Sequence, residues 1–289
     1  MQTIEFAGKA YELPEKWSEV DTERLPALLQ LTFFTPPTPE SLLEVIRLTL
    51  GIRPKTWKIL MQTHFGPKVG KKTRQANAIV LHTLKHQLRW MPKEAIQEQP
   101  FPALDRAAGR LDGYEWLLPE TGFLTMSFGE LTDAYIHFLI WVQQLVKGDE
   151  HLDLLVATLC RPERDGDYQA APDWNGDRRK PYNEFSAKHR AGVLADLEPG
   201  IKMAVLLFFV GNLENVLGRY EISGGEAGEP DQYPGQAWVK NQHLLASKGI
   251  FGNIDQTKAA NLHDVLLFLE ENRKDILAEV AHRKQQDND

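Results

Sequence analysis

The 289-residue sequence has a single cysteine, Cys160, so no disulfide within the chain can staple the fold. That scarcity fits a reducing compartment. No run of apolar residues approaches the ~18 needed to cross a membrane. The opening residues carry Glu5 and Lys9 and no apolar stretch, so no signal peptide is expected. The expectation is a soluble, cytoplasmic protein without membrane contact. No phosphate-binding glycine loop, Ser–His–Asp set or paired-carboxylate site is legible, so no catalytic residue and no cofactor is expected. Acid is also missing locally. From Gly51 to Lys93 there is no Asp or Glu, while the stretch carries ten cations: Arg53, Lys55, Lys58, Lys68, Lys71, Lys72, Arg74, Lys85, Arg89 and Lys93.

What is present is mostly helical pattern. Eight consecutive apolar residues, Met203 to Val210, sit inside a predicted helix from Ile201 to Leu217, with Pro199 placed at its start. An amphipathic surface helix would break such a run, so this helix is expected to be covered all round in its first half. Beyond Val210, where Gly211, Asn212, Glu214 and Asn215 appear, one apolar face is expected. At the N-terminus, alternation around Ala7-Gly8 places Ile4 and Phe6 with Tyr11 and Leu13, a hairpin signature.

Helix signals follow in order. Asp21 can cap a helix carrying Leu25, Leu28, Leu29 and Phe33, and Thr38-Pro39 opens one carrying Leu42, Val45, Ile46 and Leu50. Further helices are expected over 54–62 and 72–90, with loops over 91–126. Ser127 and Glu130 form a capping-box pattern ahead of Leu131, Ala134, Tyr135, Phe138, Val142 and Leu145. Asp149 can cap a helix bearing Leu152, Leu155, Val156, Leu159 and Cys160, which Arg161-Pro162 stops. A polar loop is then expected to about Phe185. Trp238 to Lys248 reads as a short helix. Asn261 opens the last helix, with Leu262, Val265, Leu266, Leu269, Ile276 and Val280 on one stripe. The expected class is mainly α, a multi-helix globular body with an N-terminal β-hairpin. The expected divisions are residues 1–20, 21–223, a mobile connector 224–235 and a C-terminal segment 236–289.

Candidate chemistry is sparse. The acid-free stretch leaves 23 basic and 40 acidic residues in the rest of the chain. Arg53, Lys55, Lys58, Lys71, Lys72, Arg74, Lys85 and Arg89, near Trp57, Phe65 and Trp90, could follow a phosphate backbone. The competing expectation is an acidic surface of the same chain, or of a neighbouring copy in a homo-oligomer. His82 and His86 share a helix face, but Thr83 stands where a zinc protease needs Glu, so no metal site is expected. The Asp/Asn/Gly-rich loop from Arg164 to Asp177 lacks the alternation and closing Glu of a calcium loop. Cys160 reads as a buried thiol. Arg161, at a helix C-terminus where carbonyls attract a cation, can pair with Asp173 or Asp177 and hold the following loop, beside Pro162 and Arg178, on the body. Ile276 and Val280, beyond the break at Asn272-Arg273, are expected to serve a partner.

Several ordered stretches resemble a family. They are Ile4–Pro14 (IEFAGKAYELP) with Trp17–Glu19, Phe128–Leu131 (FGEL), Leu154–Pro162 (LLVATLCRP), Asn175–Glu184 (NGDRRKPYNE), Phe208–Gly211 (FFVG), Gly249–Gly252 (GIFG) and Asn261–Leu266 (NLHDVL). In kind and order they are similar to uncharacterised phage and prophage proteins encoded in tail modules near the tape-measure protein. Cys160 stands where a Tyr is the family expectation. The resemblance implies a tail-assembly chaperone or small tail component, virion-associated or left behind in the host cytoplasm, with other tail proteins, the tape measure among them, as partners. No catalytic residues belong to the group, so none carry over, and the basic segment has no counterpart in it.

Overall fold

The computed structural model describes residues 1–109, 111, 113–172, 174–222 and 231–286, with the backbone only at Lys284. Among them, helices α1 to α12 span Leu25–Phe33, Pro39–Thr49, Pro54–Phe65, Lys71–Gln87, Leu104–Ala108, Phe128–Val142, Glu150–Leu159, Glu184–Leu194, Pro199–Leu217, Gln236–Ser247, Ile254–Ala259 and Leu262–Gln286. Strands β1 (Gln2–Phe6) and β2 (Lys9–Leu13) form one antiparallel pair, and β3 (Trp116–Leu117) and β4 (Arg161–Pro162) another. The class is mainly α with an N-terminal hairpin. The chain divides into two compact units, residues 1–101 with 197–208, and residues 102–196 with 209–289. These cut the chain elsewhere than the divisions read from sequence. Most of the expected connector, residues 224–230, lies outside the described residues.

In the first unit, Ala7 and Gly8 both take positive φ, which a two-residue hairpin loop requires. Ile4 stands opposite Tyr11, and Phe6 and Leu13 are buried. Phe6 stacks on Trp57 of α3 at 6.0 Å, so the hairpin gains the hydrophobic face it lacks alone. Trp17 is buried, donates its indole N–H to the Glu94 carbonyl at 3.0 Å and meets Trp90 edge-on. Thr38 and Ser41 cap α2 reciprocally, and Gly51 ends the segment at φ +63°. Asp21 does not cap α1. Its carboxylate accepts the Glu23 N–H in a preceding turn, and the helix begins at Leu25. A side chain at Gly200 would stand 1.8 Å from the Pro26 carbonyl oxygen, so the start of α9 passes α1 at a distance only glycine allows.

In the second unit, α6 packs on α7, and α7 on α8. Helix α8 follows the expected loop, in a stretch ahead of α9 for which the sequence reading names no element. Its inward face is Ala187, Arg190, Ala191 and Leu194, too weakly apolar to show a stripe, and Asn183 caps it by accepting the Ser186 N–H at 3.0 Å. Val142 and Leu145 are not core. α6 ends at Val142, which is 50 % exposed, and Leu145 lies past the turn at Gln144. Asp149 leaves α7 without a side-chain cap because its carboxylate accepts the Trp141 indole N–H instead. The second part of α9 is less one-sided than expected. Gly211 and Asn212 are buried, and Asn212 accepts the Gly122 N–H at 2.6 Å. Phe209 lies 5.8 Å from the Phe123 ring and 5.9 Å from that of Phe138. Among the described residues, α9 is the one helix long and apolar enough to cross a membrane, and 72 % of its apolar window is buried inside the protein.

Candidate functional site

The most densely bonded polar group is a buried cluster in the second unit. Pairing of Leu117 with Arg161 across β3 and β4 fixes the Arg161 backbone just beyond the end of α7. Its guanidinium donates from Nη2 to Asp177 Oδ2 at 2.8 Å and to Glu130 Oε2 at 3.0 Å. Arg179 completes the set. It donates to Glu130 Oε1 at 2.7 Å, to both Asp177 oxygens at 2.9 Å and to the Leu159 carbonyl at 2.8 Å. Two guanidinium and two carboxylate groups therefore cancel in charge with their hydrogen bonds directed inward. Burial pulls the Arg161 pKa down to about 10 against the attraction of Glu130. At Arg179 burial opposes, but Glu130 and Asp177 prevail and hold its pKa above the ordinary value. Both remain cations at neutral pH.

Of the residues singled out in sequence, the cluster brings together Arg161 and Asp177. Pro162 is in β4, and Arg178 is exposed and pairs with Glu163 at 2.7 Å. Asp173, the other partner considered for Arg161, lies outside the described residues. Sequence reading missed Glu130 and Arg179. Ser127 does accept the Glu130 N–H, but the carboxylate turns inward to two arginines instead of returning to the cap. No local signal announces this, because Arg179 is far along the chain.

Beside the cluster opens a cleft of about 320 Å³ lined by Ser127, Asp133, Tyr182, Glu184, Asp255 and Lys258. The Tyr182 hydroxyl donates to Asp133, whose carboxyl is pushed above the ordinary range by burial. Burial and Asp133 likewise raise Tyr182. Cys160 is fully buried, and burial pushes its thiol up to about 12, which makes it a poor nucleophile at neutral pH. His137 of α6 and His151 of α7 meet at 3.0 Å between their Nδ1 atoms. Burial and then His151 press His137 down to about 4. Among the described residues no group of three His, Cys, Asp or Glu side chains could hold a metal ion.

Two surfaces stand apart from these interior groups. In the first unit, α3 and α4 join where the Asn77 amide donates to the His64 carbonyl at 2.8 Å. All ten cations of the acid-free stretch are exposed, Arg53, Lys55, Lys58, Lys71, Lys72, Arg74, Lys85 and Arg89 among them. No acidic side chain among the described residues comes within ion-pair distance of any of them. His82 and His86 are exposed on α4. In the second unit, α12 is anchored by the buried Leu262, Val265 and Leu266, with Asn261 accepting the His263 N–H and donating to the Leu124 carbonyl. Beyond Arg273 the helix continues with Ile276, Leu277 and Val280 at 52 %, 51 % and 42 % exposure.

Neither a scan of protein-family models nor searches of curated proteins and of solved structures find a match to this chain. The resemblance to tail-module proteins rests on its sequence motifs alone.

Proposed function

We propose that this chain is a non-enzymatic assembly factor or minor component of a phage or prophage tail, binding other tail proteins through apolar helical surfaces. The observation that carries the reading is the distal half of α12. Three large aliphatic side chains remain exposed there on a helix whose first half is locked into the second unit. A helix stabilised at one end and apolar at the other is the geometry of helix-in-groove recognition, in which anchors at three- and four-residue spacing dock on a partner helix. Ile276 and Val280 have that spacing. Burying one such side chain contributes ~1.5–3 kcal/mol, so two or three of them suffice for reversible binding. A partner rich in amphipathic helix, such as a tape-measure protein, would be shielded from self-association by this contact. The cytoplasm of the infected host is the corresponding location.

The test is co-expression of the tagged chain with the products of the genes beside its own. Capture of a long coiled-coil product, abolished by Ile276→Asp with Val280→Asp, is the expected result. A neighbourhood without such a gene, or capture unaffected by both substitutions, would count against the reading.

A further inference from the structure

The α3–α4 hairpin carries the strongest charge anomaly in the molecule, and the tail-assembly reading makes no use of it. On α4, Lys71, Arg74, His82 and Lys85 recur at three- and four-residue spacing through Ala78, so they share one face. From Lys71 to Lys85 that face rises ~21 Å at ~1.5 Å per residue. Arg89 follows, exposed, in the short turn that continues the helix. Lys55 and Lys58 are exposed on α3.

This arrangement costs the fold something in isolation. Lys71 and Lys72 occupy the first turn of α4, where the helix dipole disfavours cations, and neither α3 nor α4 has an acid in its first turn. Like charges at helical spacing repel. Among the described residues no acidic side chain pairs with them, so these cations are open to an anionic partner.

We infer that the α3–α4 hairpin binds nucleic acid independently of sequence, gripping the phosphate backbone along α4. Three observations favour phosphates over other anionic partners. Seven of the ten cations are lysines, the residue depleted from protein–protein interfaces and suited to point contacts with phosphate. The stripe is linear, and a duplex presents a charge every ~1.7 Å of its axis, so ~21 Å of helix passes about a dozen of them. A lipid surface would instead need a continuous apolar face below the cations. Here Leu84 and Leu88 are buried in the unit, leaving Ile79 and Val80 as the large apolar side chains exposed on α4. The chain's net charge of −7 keeps the binding weak.

The experiment is fluorescence anisotropy with the full chain and a labelled random duplex, and separately a single strand, of about 25 nucleotides, titrated across about 50–200 mM salt. Micromolar binding at the lowest salt is expected, with log affinity falling linearly against log salt. The variant Lys71→Gln/Lys72→Gln/Arg74→Gln should weaken duplex binding at least about tenfold and make the slope shallower by about 2.7, three contacts at ~0.9 each. Its melting temperature should be no lower than that of the unsubstituted protein, since all three side chains are exposed and neutralising them relieves repulsion at the start of α4. Lys274→Gln on α12 should leave binding unchanged. The inference fails if neither nucleic acid binds at the lowest salt, or if the triple variant binds with undiminished affinity and slope. It fails equally if vesicles of anionic lipid bind the hairpin while nucleic acid does not.

Discussion

Replacing Glu130 with Gln would delete one charge from a cluster that balances without remainder. The Glu130 side chain is 1 % exposed and accepts three hydrogen bonds, from Arg161 Nη2 at 3.0 Å and from Arg179 Nη1 and Nη2 at 2.7 and 3.3 Å. Gln preserves the shape but turns one acceptor into an N–H₂ group that must face a guanidinium. Two buried cations would then share the single carboxylate of Asp177. Breaking a buried ion pair from one side costs about 3–5 kcal/mol, because the surviving charge stays desolvated. For a unit of this size each kcal/mol lowers the melting temperature by about 2–4 °C, so a fall of about 6–20 °C is expected. The assay is thermal and urea unfolding followed by circular dichroism. Arg178→Gln supplies the control. It breaks a pair whose arginine is 54 % exposed and should cost less than about 1 kcal/mol. Arg161→Gln should also be strongly destabilising, yet the double variant should lose less than the sum, since both residues belong to one network. A Glu130→Gln protein within about 1 kcal/mol of the parent would refute the view that this cluster holds the 163–183 loop onto α6 and α7.

Three further outcomes follow from the same structure. His137 has a folded pKa of about 4 against 6.5 unfolded, so its contribution is present above pH 6.5 and is lost as pH falls toward 4. The full loss is on the order of 3 kcal/mol, and comparing urea midpoints at several pH values for the parent and His137→Gln should show a flatter profile in the variant; parallel profiles would exclude it. Gly200→Ala should destabilise the first unit by about 1–3 kcal/mol in spite of the better helix propensity of Ala, because its Cβ would meet the Pro26 carbonyl; unchanged or raised stability in chemical denaturation would contradict this. Truncation after Arg273 removes a stretch whose described side chains are all exposed, so the melting temperature should hold while co-expression capture of a tail partner is lost.

Local signals in the sequence located much of this fold. The hairpin, the starts at Thr38-Pro39, Pro54, Ser127 and Asn261 and the burial of Met203 to Phe209, half-buried at Leu207 alone, each depend on neighbours within a few residues. What escaped depends on distance or on atypical chemistry. α8 buries two alanines, an arginine and one leucine, a face that hydropathy periodicity does not register, although Asn183 three residues before Ser186 is a readable cap. α11 is six residues long and carries too few apolar positions for a stripe, but Asn253 and Gln256 form a reciprocal capping box. The role of Glu130 could not be read beside Ser127. The same Ser-x-x-Glu pattern serves a surface cap or a core ion pair, and only the arrival of Arg161 and Arg179 decides which.

The charges of this protein therefore divide into two populations with opposite consequences. Glu130, Arg161, Asp177 and Arg179 are desolvated and paired with one another, with Arg161 Nε left without an acceptor, so they specify one loop conformation and offer little to a ligand. The ten cations of 51–93 are solvated and have no acidic partner among the described residues, so they add little to the fold and remain available to another molecule. Composition alone cannot separate these cases, since an arginine counts the same in either. Position along the chain separates them only in part: the acid-free stretch was visible because intrachain partners had to be remote. Burial makes the distinction physical. A buried pair keeps its attraction in salt, whereas an exposed array is screened within about a Debye length of ~8–10 Å. Raising ionic strength should accordingly leave the unfolding of the second unit nearly unchanged while weakening any contact made through α4. That separation assigns the internal cluster to architecture and leaves the cations of the α3–α4 hairpin open to the contact proposed for them.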